Sequence, residues 1–290
     1  MHPTSDTTNY VCKCNRTFGA ETLHPLVSLI DMSAPCAGSH VKTDCYAVVL
    51  KRHACDCARY GRRYYDYSDA TLLFTAPHKE IDLCTNDGTL LIFHPELIRC
   101  TPLGMRLKEY SFFKYRPDES LHISCCEEKC VSRCFESISN ELCRGVDEYS
   151  KTIISSIIDL LLTYCRRFYN RQFITRHNAN VDAIKTLDGI IDRCFESGTA
   201  AAEGMPTAVT MAQQLGMSAA YLDDMLKNET GKTVSQYVQL RRMALAKQML
   251  MAHDRTESEI AGLLGFSTEK LFATVFKRIT GCTPDEYRNG

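Results

Sequence analysis

Three thiols on one expected helix are the first residues in this chain whose type and spacing could do chemistry. Cys126, Cys130 and Cys134 recur at i, i+4 and i+8, with Cys125 adjacent. Two thiolates so placed can share a soft metal, and neighbouring thiols can oxidise when their pKa is lowered. Glu127, Glu128 and Glu136 oppose such lowering, whereas Lys129 and Arg133 favour it. There is no Cys-x-x-Cys pair, and the Cys12-x-Cys14 and His53-x-Cys55-x-Cys57 groups stand apart. Cysteine is also a small buried hydrophobe, so neither a metal nor a cofactor is assigned. A second group, Arg62, Arg63, Tyr64, Tyr65, Tyr67 and His94, has the cations and rings to line a pocket for an anionic or aromatic effector. No constellation of residues gives an enzyme anything to stand on. An enzyme is not expected.

The elements that must position these residues fall into three parts. The 290 residues are long enough for two or three domains with an ample core. Residues 1–20 are polar and read as a tail. From 21 to 118, short apolar runs (Leu26–Ile30, Tyr46–Leu50, Thr71–Thr75, Thr89–Phe93) alternate with Gly, Pro and Asn-Asp-Gly turns, the pattern of a small barrel or sandwich. From 119 to 200 the pattern is helical. Ser124 and Glu127 form a capping box at the start of one helix, and a second, roughly Glu148–Tyr169, carries an apolar stripe wide enough for a core or a subunit interface. A third runs near Val181–Ser197. The Gly/Ala-rich stretch 196–206 marks a boundary, and 205–290 forms the last domain.

Sixteen cysteines in a chain whose start shows no export signal point to a reducing compartment, the cytoplasm. The longest apolar stretch, Ile153–Leu162, is broken by polar residues and too short to span a bilayer, so no membrane role is expected.

The last domain repeats itself. Ala212, Leu215, Gly216, Ser218 and Leu222 recur 49 residues later as Ala261, Leu264, Gly265, Ser267 and Leu271; after one inserted residue, Lys227, Thr230, Gly231, Thr233 and Tyr237 recur 50 later as Lys277, Thr280, Gly281, Thr283 and Tyr287. Two copies are too few for a solenoid. Capping boxes are expected at Thr210/Gln213, Thr233/Gln236, Thr256/Glu259 and Thr283/Glu286. Short helix, glycine turn and Ser-capped helix make the helix-turn-helix pattern. A single helix from Val234 to about His253 would separate the units by roughly 30 Å, close to the ~34 Å of one DNA turn.

The stretch Glu259-Ile260-Ala261, Gly265-Phe266-Ser267, Phe272, Phe276-Lys277-Arg278, Gly281, Thr283-Pro284 and Tyr287-Arg288 resembles the DNA-binding domain of AraC/XylS-family transcription regulators. The resemblance covers Val209 to Arg288. It implies an α+β multidomain chain: a cupin-like β barrel that senses an effector, a helical linker or dimerisation segment, and an all-α domain with two helix-turn-helix units. It also implies double-stranded DNA as partner and a homodimer. A metal-binding cupin would show His-x-His, which is absent, so the barrel is expected to hold a pocket or a packed core.

The family commonly places an arginine on the exposed face of each second helix; Asp224 and Thr274 stand there instead. Base readout is therefore expected from Ala220, Asp223, Asp224, Glu269, Lys270 and Thr274. Phosphate contacts are expected from Lys227, Lys232, Arg241, Arg242, Lys277 and Arg278. Leu215, Met225, Leu240, Leu264, Phe266, Phe272, Phe276 and Tyr287 are expected in the core. Net charge is −1 for the chain, and ten basic against nine acidic residues give +1 for 205–290, a weak footprint for a DNA binder. Two alternatives follow: a thiol- or metal-responsive regulator switched through the Cys126/Cys130/Cys134 helix, and an interaction protein with degenerate DNA binding.

Overall fold

The computed structural model describes residues 7–32, 40–52, 60–82, 88–198, 200, 202 and 204–289. The chain divides into two units, Met1–Arg176 and His177–Gly290. His53, Cys55 and Cys57 lie outside the described residues.

Alternating apolar residues in the first unit build seven strands: β1 (Val27–Asp31), β2 (His40–Lys42), β3 (Tyr46–Lys51), β4 (Ala70–Thr75), β5 (Glu80–Asp82), β6 (Thr89–Phe93) and β7 (Leu121–Ile123). They pair as a five-stranded antiparallel sheet in the order β1-β6-β3-β4-β7 and a separate β2-β5 ribbon. The expected closed barrel is not confirmed: β1 and β7 are the two edges of the larger sheet, with no ladder joining them among the described residues. Each run forms a strand much as expected, but closure depends on long-range pairing that no local pattern encodes.

Both faces of the sheet are buried. Ala47, Val49, Leu73, Leu90 and Ile92 face one core, shared with Ile81 of the ribbon. On the other, Phe74 meets Phe112 and Tyr169 at ring separations of 4.4 and 6.0 Å. The first core also receives α1 (Thr7–Phe18), where a polar tail was expected. Val11, Cys14 and Phe18, at i, i+3 and i+7, pack on the sheet, with Cys14 filling an apolar position.

Two short helices, α2 (Pro95–Ile98) and α3 (Pro102–Arg106), and three 3₁₀ turns lead to β7. Then come α4 (Cys125–Leu142) and α5 (Ser150–Thr175), which pack on each other. Ser124 and Glu127 form the expected reciprocal cap on α4. Its cysteines divide between environments: Cys126 is exposed, Cys130 half-buried, and Cys134 buried. Burial pushes the Cys134 thiol above its ordinary pKa, and the neighbouring Cys165 of α5 still further. Arg176, just after α5, grips Asp66 through two hydrogen bonds of 3.0 and 2.7 Å.

The second unit is helical. The helix α6 (His177–Glu196), expected in the linker, belongs here. It is followed by α7 (Ala208–Gln214), α8 (Ala219–Thr230), α9 (Val234–Ala252), α10 (Glu257–Leu263), α11 (Glu269–Thr280) and α12 (Pro284–Asn289). Met225, Leu264, Phe272 and Phe276 are fully buried as expected, and Phe266 nearly so. Leu215 and Tyr287 are only half-buried, and Leu240 is 40% exposed because it sits on the outer side of α9.

Candidate nucleic-acid interface

Threonine and serine side chains set where the helices of the second unit begin. Ser218 accepts from the Tyr221 amide to start α8, and Thr268 accepts from the Leu271 amide to start α11. Thr233/Gln236, Thr256/Glu259 and Thr283/Glu286 form reciprocal boxes as expected. The box expected at Thr210/Gln213 lies three residues earlier: Thr207 is the cap and Thr210 its partner. A hydroxyl can occupy the third helical position as Gln does, so the local pattern fits both registers.

The helix starts locate the extra residue of the repeat. α10 begins 49 residues after α7, and α11 begins 50 after α8, so the insertion lies in the turn that follows Gly265. Leu222 therefore corresponds to Phe272, both fully buried, rather than to Leu271, which is 46% exposed. Gly216 and Gly265 sit in these turns at φ +67° and +72°, a backbone region that favours glycine. Gly231 and Gly281 end α8 and α11 in the same left-handed region.

α9, between the pairs, has 19 residues, roughly 28 Å at 1.5 Å per residue. His253 ends it at φ +54°. The three acidic residues that bind it and α8 to α6 were not foreseen. Asp188 accepts from the Tyr237 hydroxyl at 2.9 Å, and Asp192 takes two bonds from Arg241, at 2.9 and 2.5 Å. Glu229 of α8 accepts from Asn180 at 2.8 Å and meets His177 at 2.8 Å. Their signal was spatial: an acidic i, i+4 pair on a helix expected to be a linker.

The structure sorts the expected contact residues into three groups. Glu269, Lys270, Thr274, Lys277 and Arg278 lie exposed along α11. Thr274 Oγ1 is turned back, donating to the Lys270 carbonyl at 2.8 Å. Lys270, Lys277 and Arg278 form no ion pair among the described residues.

On α8 and the turn after it, Ala220, Asp223, Asp224 and Lys232 are half-buried and Lys227 is exposed. Asp223 accepts from the Val234 amide at 2.8 Å, a second cap on α9, and pairs with Lys227 at 2.6 Å. Asp224 lies 4.0 Å from the same ammonium. The hydrogen bond that Lys227 donates to Asp223 holds the Lys227 pKa above its ordinary value.

Arg241 and Arg242 form the third group. Arg241 is held by Asp192. Arg242 is buried, donates from Nε to the Leu264 carbonyl at 2.7 Å, and stacks on Phe266 with 3.3 Å from its guanidinium carbon to the ring centre. Burial pushes its pKa down to about 10, which leaves it charged at neutral pH. This corrects its expected place among the phosphate contacts. The guanidinium binds the turn between α10 and α11 to α9, a use that depends on tertiary burial.

In the first unit, the proposed pocket residues do not converge. Tyr64 is 97% exposed, Tyr67 lies against Arg171, and His94 caps α2. A cavity of about 220 Å³ lies elsewhere, lined by Phe74, Phe112, Tyr115 and Tyr169 together with the charged Lys79, Glu80, Lys114 and Arg116. No helix among the described residues is long and apolar enough to cross a membrane.

Comparison with known proteins gives this arrangement a lineage. A family model described as a helix-turn-helix domain matches residues 211–290. The chain is 46% identical over 76 residues to the transcriptional regulatory protein YesN of Bacillus subtilis, covering 26% of this chain and 21% of that one. It is 34% identical over 79 residues to the regulatory protein SoxS of Salmonella typhimurium, covering 27% of this chain and 74% of SoxS. Among solved structures, it is similar to the C-terminal domain of the two-component response regulator YesN from Fusobacterium nucleatum, with 31% identity, 37% of this chain, 98% of that one and a TM-score of 0.31. The chain thus spans about a fifth of the Bacillus protein and most of SoxS. It belongs to the AraC/XylS family of DNA-binding transcription regulators.

Proposed function

We propose that this regulator binds specific duplex sites by placing α8 and α11 in two successive major grooves on one face of the DNA. The observation that carries this reading is the repeated helix pair at either end of α9, whose roughly 28 Å length suits one helical turn. In this proposal Ala220 and Asp224 of α8 and Glu269, Lys270 and Thr274 of α11 face base edges. Lys227, Lys232, Lys277 and Arg278 approach phosphates, while Asp223, Arg241 and Arg242 hold the helices in place. Selection of bound fragments from genomic DNA, followed by nuclease footprinting, tests it: protection should span about two helical turns per protomer. Protection of less than one turn would contradict the two-groove arrangement.

The first unit is proposed to take a small effector in its aromatic cavity and to pair with a second copy through α5. Tyr149, Ile153 and Leu160 are exposed along one side of α5. Asp147 and Glu148 stand at one end of this line and Arg167 at the other, so an antiparallel pairing of two copies would match opposite charges. Sedimentation of the full chain should give a dimer, and Ile153→Asp with Leu160→Asp should dissociate it. A monomeric wild-type chain would contradict this part.

A further inference from the structure

The two helix pairs have the same scaffold but opposite electrostatics. With the register set by the caps Ser218 and Thr268, Ala219, Ala220, Asp223, Asp224, Lys227 and Asn228 of α8 correspond to Glu269, Lys270, Ala273, Thr274, Lys277 and Arg278 of α11. Formal charge over these six positions is −1 on α8 and +2 on α11. The one cation on the α8 face is already engaged, 2.6 Å from Asp223 and 4.0 Å from Asp224. The three on α11 are exposed and form no ion pair among the described residues.

We infer that the C-terminal helix pair carries most of the attachment to DNA, with α11 as the anchoring helix and α8 a weakly held second element. This rests on the DNA-binding reading proposed above. Each ammonium or guanidinium brought to a phosphate releases condensed counterions, so affinity follows the number of free cations at the surface. α11 can supply two such contacts, from Lys277 and Arg278, and Lys270 adds a third uncompensated cation in the groove. α8 approaches the backbone with two carboxylates and a lysine they have neutralised, and a carboxylate near phosphate is repelled. One carboxylate is also committed, since Asp223 caps the first turn of α9 through the Val234 amide. Aspartate on α8 can still accept from a cytosine amino group, which would give that groove discrimination with little affinity.

The test uses the full chain and the duplex it selects. Lys270→Gln, Lys277→Gln and Arg278→Gln should each weaken binding by about tenfold, and the changes at Lys277 and Arg278 should each lower the slope of log affinity against log salt by about 1. Asn228→Ala, at the α8 position matching Arg278, should change affinity by less than about twofold, and Asp224→Asn should strengthen it, because repulsion of phosphate is relieved. Phosphate-ethylation interference should be strong around one major groove and weak around the next. Asn228, Lys270, Lys277 and Arg278 are exposed and Asp224 is half-buried, and a melting temperature equal to wild type confirms that each variant is folded. Equal interference in both grooves, or losses on the α8 changes as large as those on α11, would overturn the inference while leaving the DNA-binding reading intact. Failure of the wild-type chain to prefer any duplex would overturn both.

Discussion

Arg242 lies flat on Phe266, 3.3 Å from its ring centre, while its Nε donates to the Leu264 carbonyl. The pair closes the turn between α10 and α11 onto α9. Removing the guanidinium leaves a buried carbonyl without this donor, about 1–3 kcal/mol, and loses a desolvated cation–ring contact of about 2 kcal/mol. Arg242→Ala should therefore lower stability by roughly 3–5 kcal/mol, and Arg242→Lys should recover little of it, because an ammonium cannot stack as a plane. Denaturant melts of the three proteins measure this. A stable Arg242→Ala chain that had lost only DNA affinity would return the residue to the interface.

Arg241 and Asp192 should behave as a structural pair. Their side chains are 33% and 25% exposed, so solvent screening holds the expected coupling to about 1 kcal/mol. A double-mutant cycle with Arg241→Ala and Asp192→Ala measures it. Coupling below about 0.3 kcal/mol would mean that α6 is not held to α9 by this contact.

His122 makes the first unit sensitive to acid. It is fully buried, with Nδ1 3.1 Å from Thr71 Oγ1 and Nε2 3.1 Å from the Tyr60 carbonyl. Burial, before any other cause, lowers its pKa from 6.5 to about 4. Above pH 6.5 the imidazole is neutral folded and unfolded, and its contribution is constant. Between 6.5 and 4 the unfolded chain takes up the proton and the folded chain does not, so stability falls as pH falls. The loss is on the order of 3 kcal/mol. Urea midpoints from pH 7.5 to 4 should show it, and His122→Gln should flatten the curve. Identical curves for the two proteins would exclude His122 as the source.

The α4 cysteines should not act as a switch. Cys134 is a core residue whose thiol is pushed up by burial and then by neighbouring Cys130, so it resists forming the thiolate that a metal or an oxidant needs. Cys134→Ser should cost roughly 1–3 kcal/mol through an unsatisfied buried hydroxyl. Cys126→Ser with Cys130→Ser should leave DNA affinity unaltered, with or without zinc or peroxide. An oxidant-dependent change in affinity that those two substitutions abolish would revive the thiol-responsive alternative.

What could be read in the sequence was what neighbouring residues decide. Ser124/Glu127 and Thr256/Glu259 are caps whose partners lie three residues apart, and the spacing alone reveals them. The glycine turns and the length of α9 were legible for the same reason. The fate of Arg242 was not: Arg241 and Arg242 are adjacent and identical in type, yet one meets Asp192 and the other is buried on Phe266. Only the fold separates them. The open sheet escaped similarly, since strand runs specify strands but not their closure. α1 was missed because cysteine and asparagine stand at its inward positions, where a hydropathy pattern shows little.

The most direct test of DNA recognition is the affinity of the full chain for its selected duplex and for a scrambled one, measured from 50 to 200 mM salt. The account predicts at least a thousandfold preference for the selected duplex, with affinity for both falling steeply as salt rises. Equal affinity for the two duplexes at every salt concentration would contradict it.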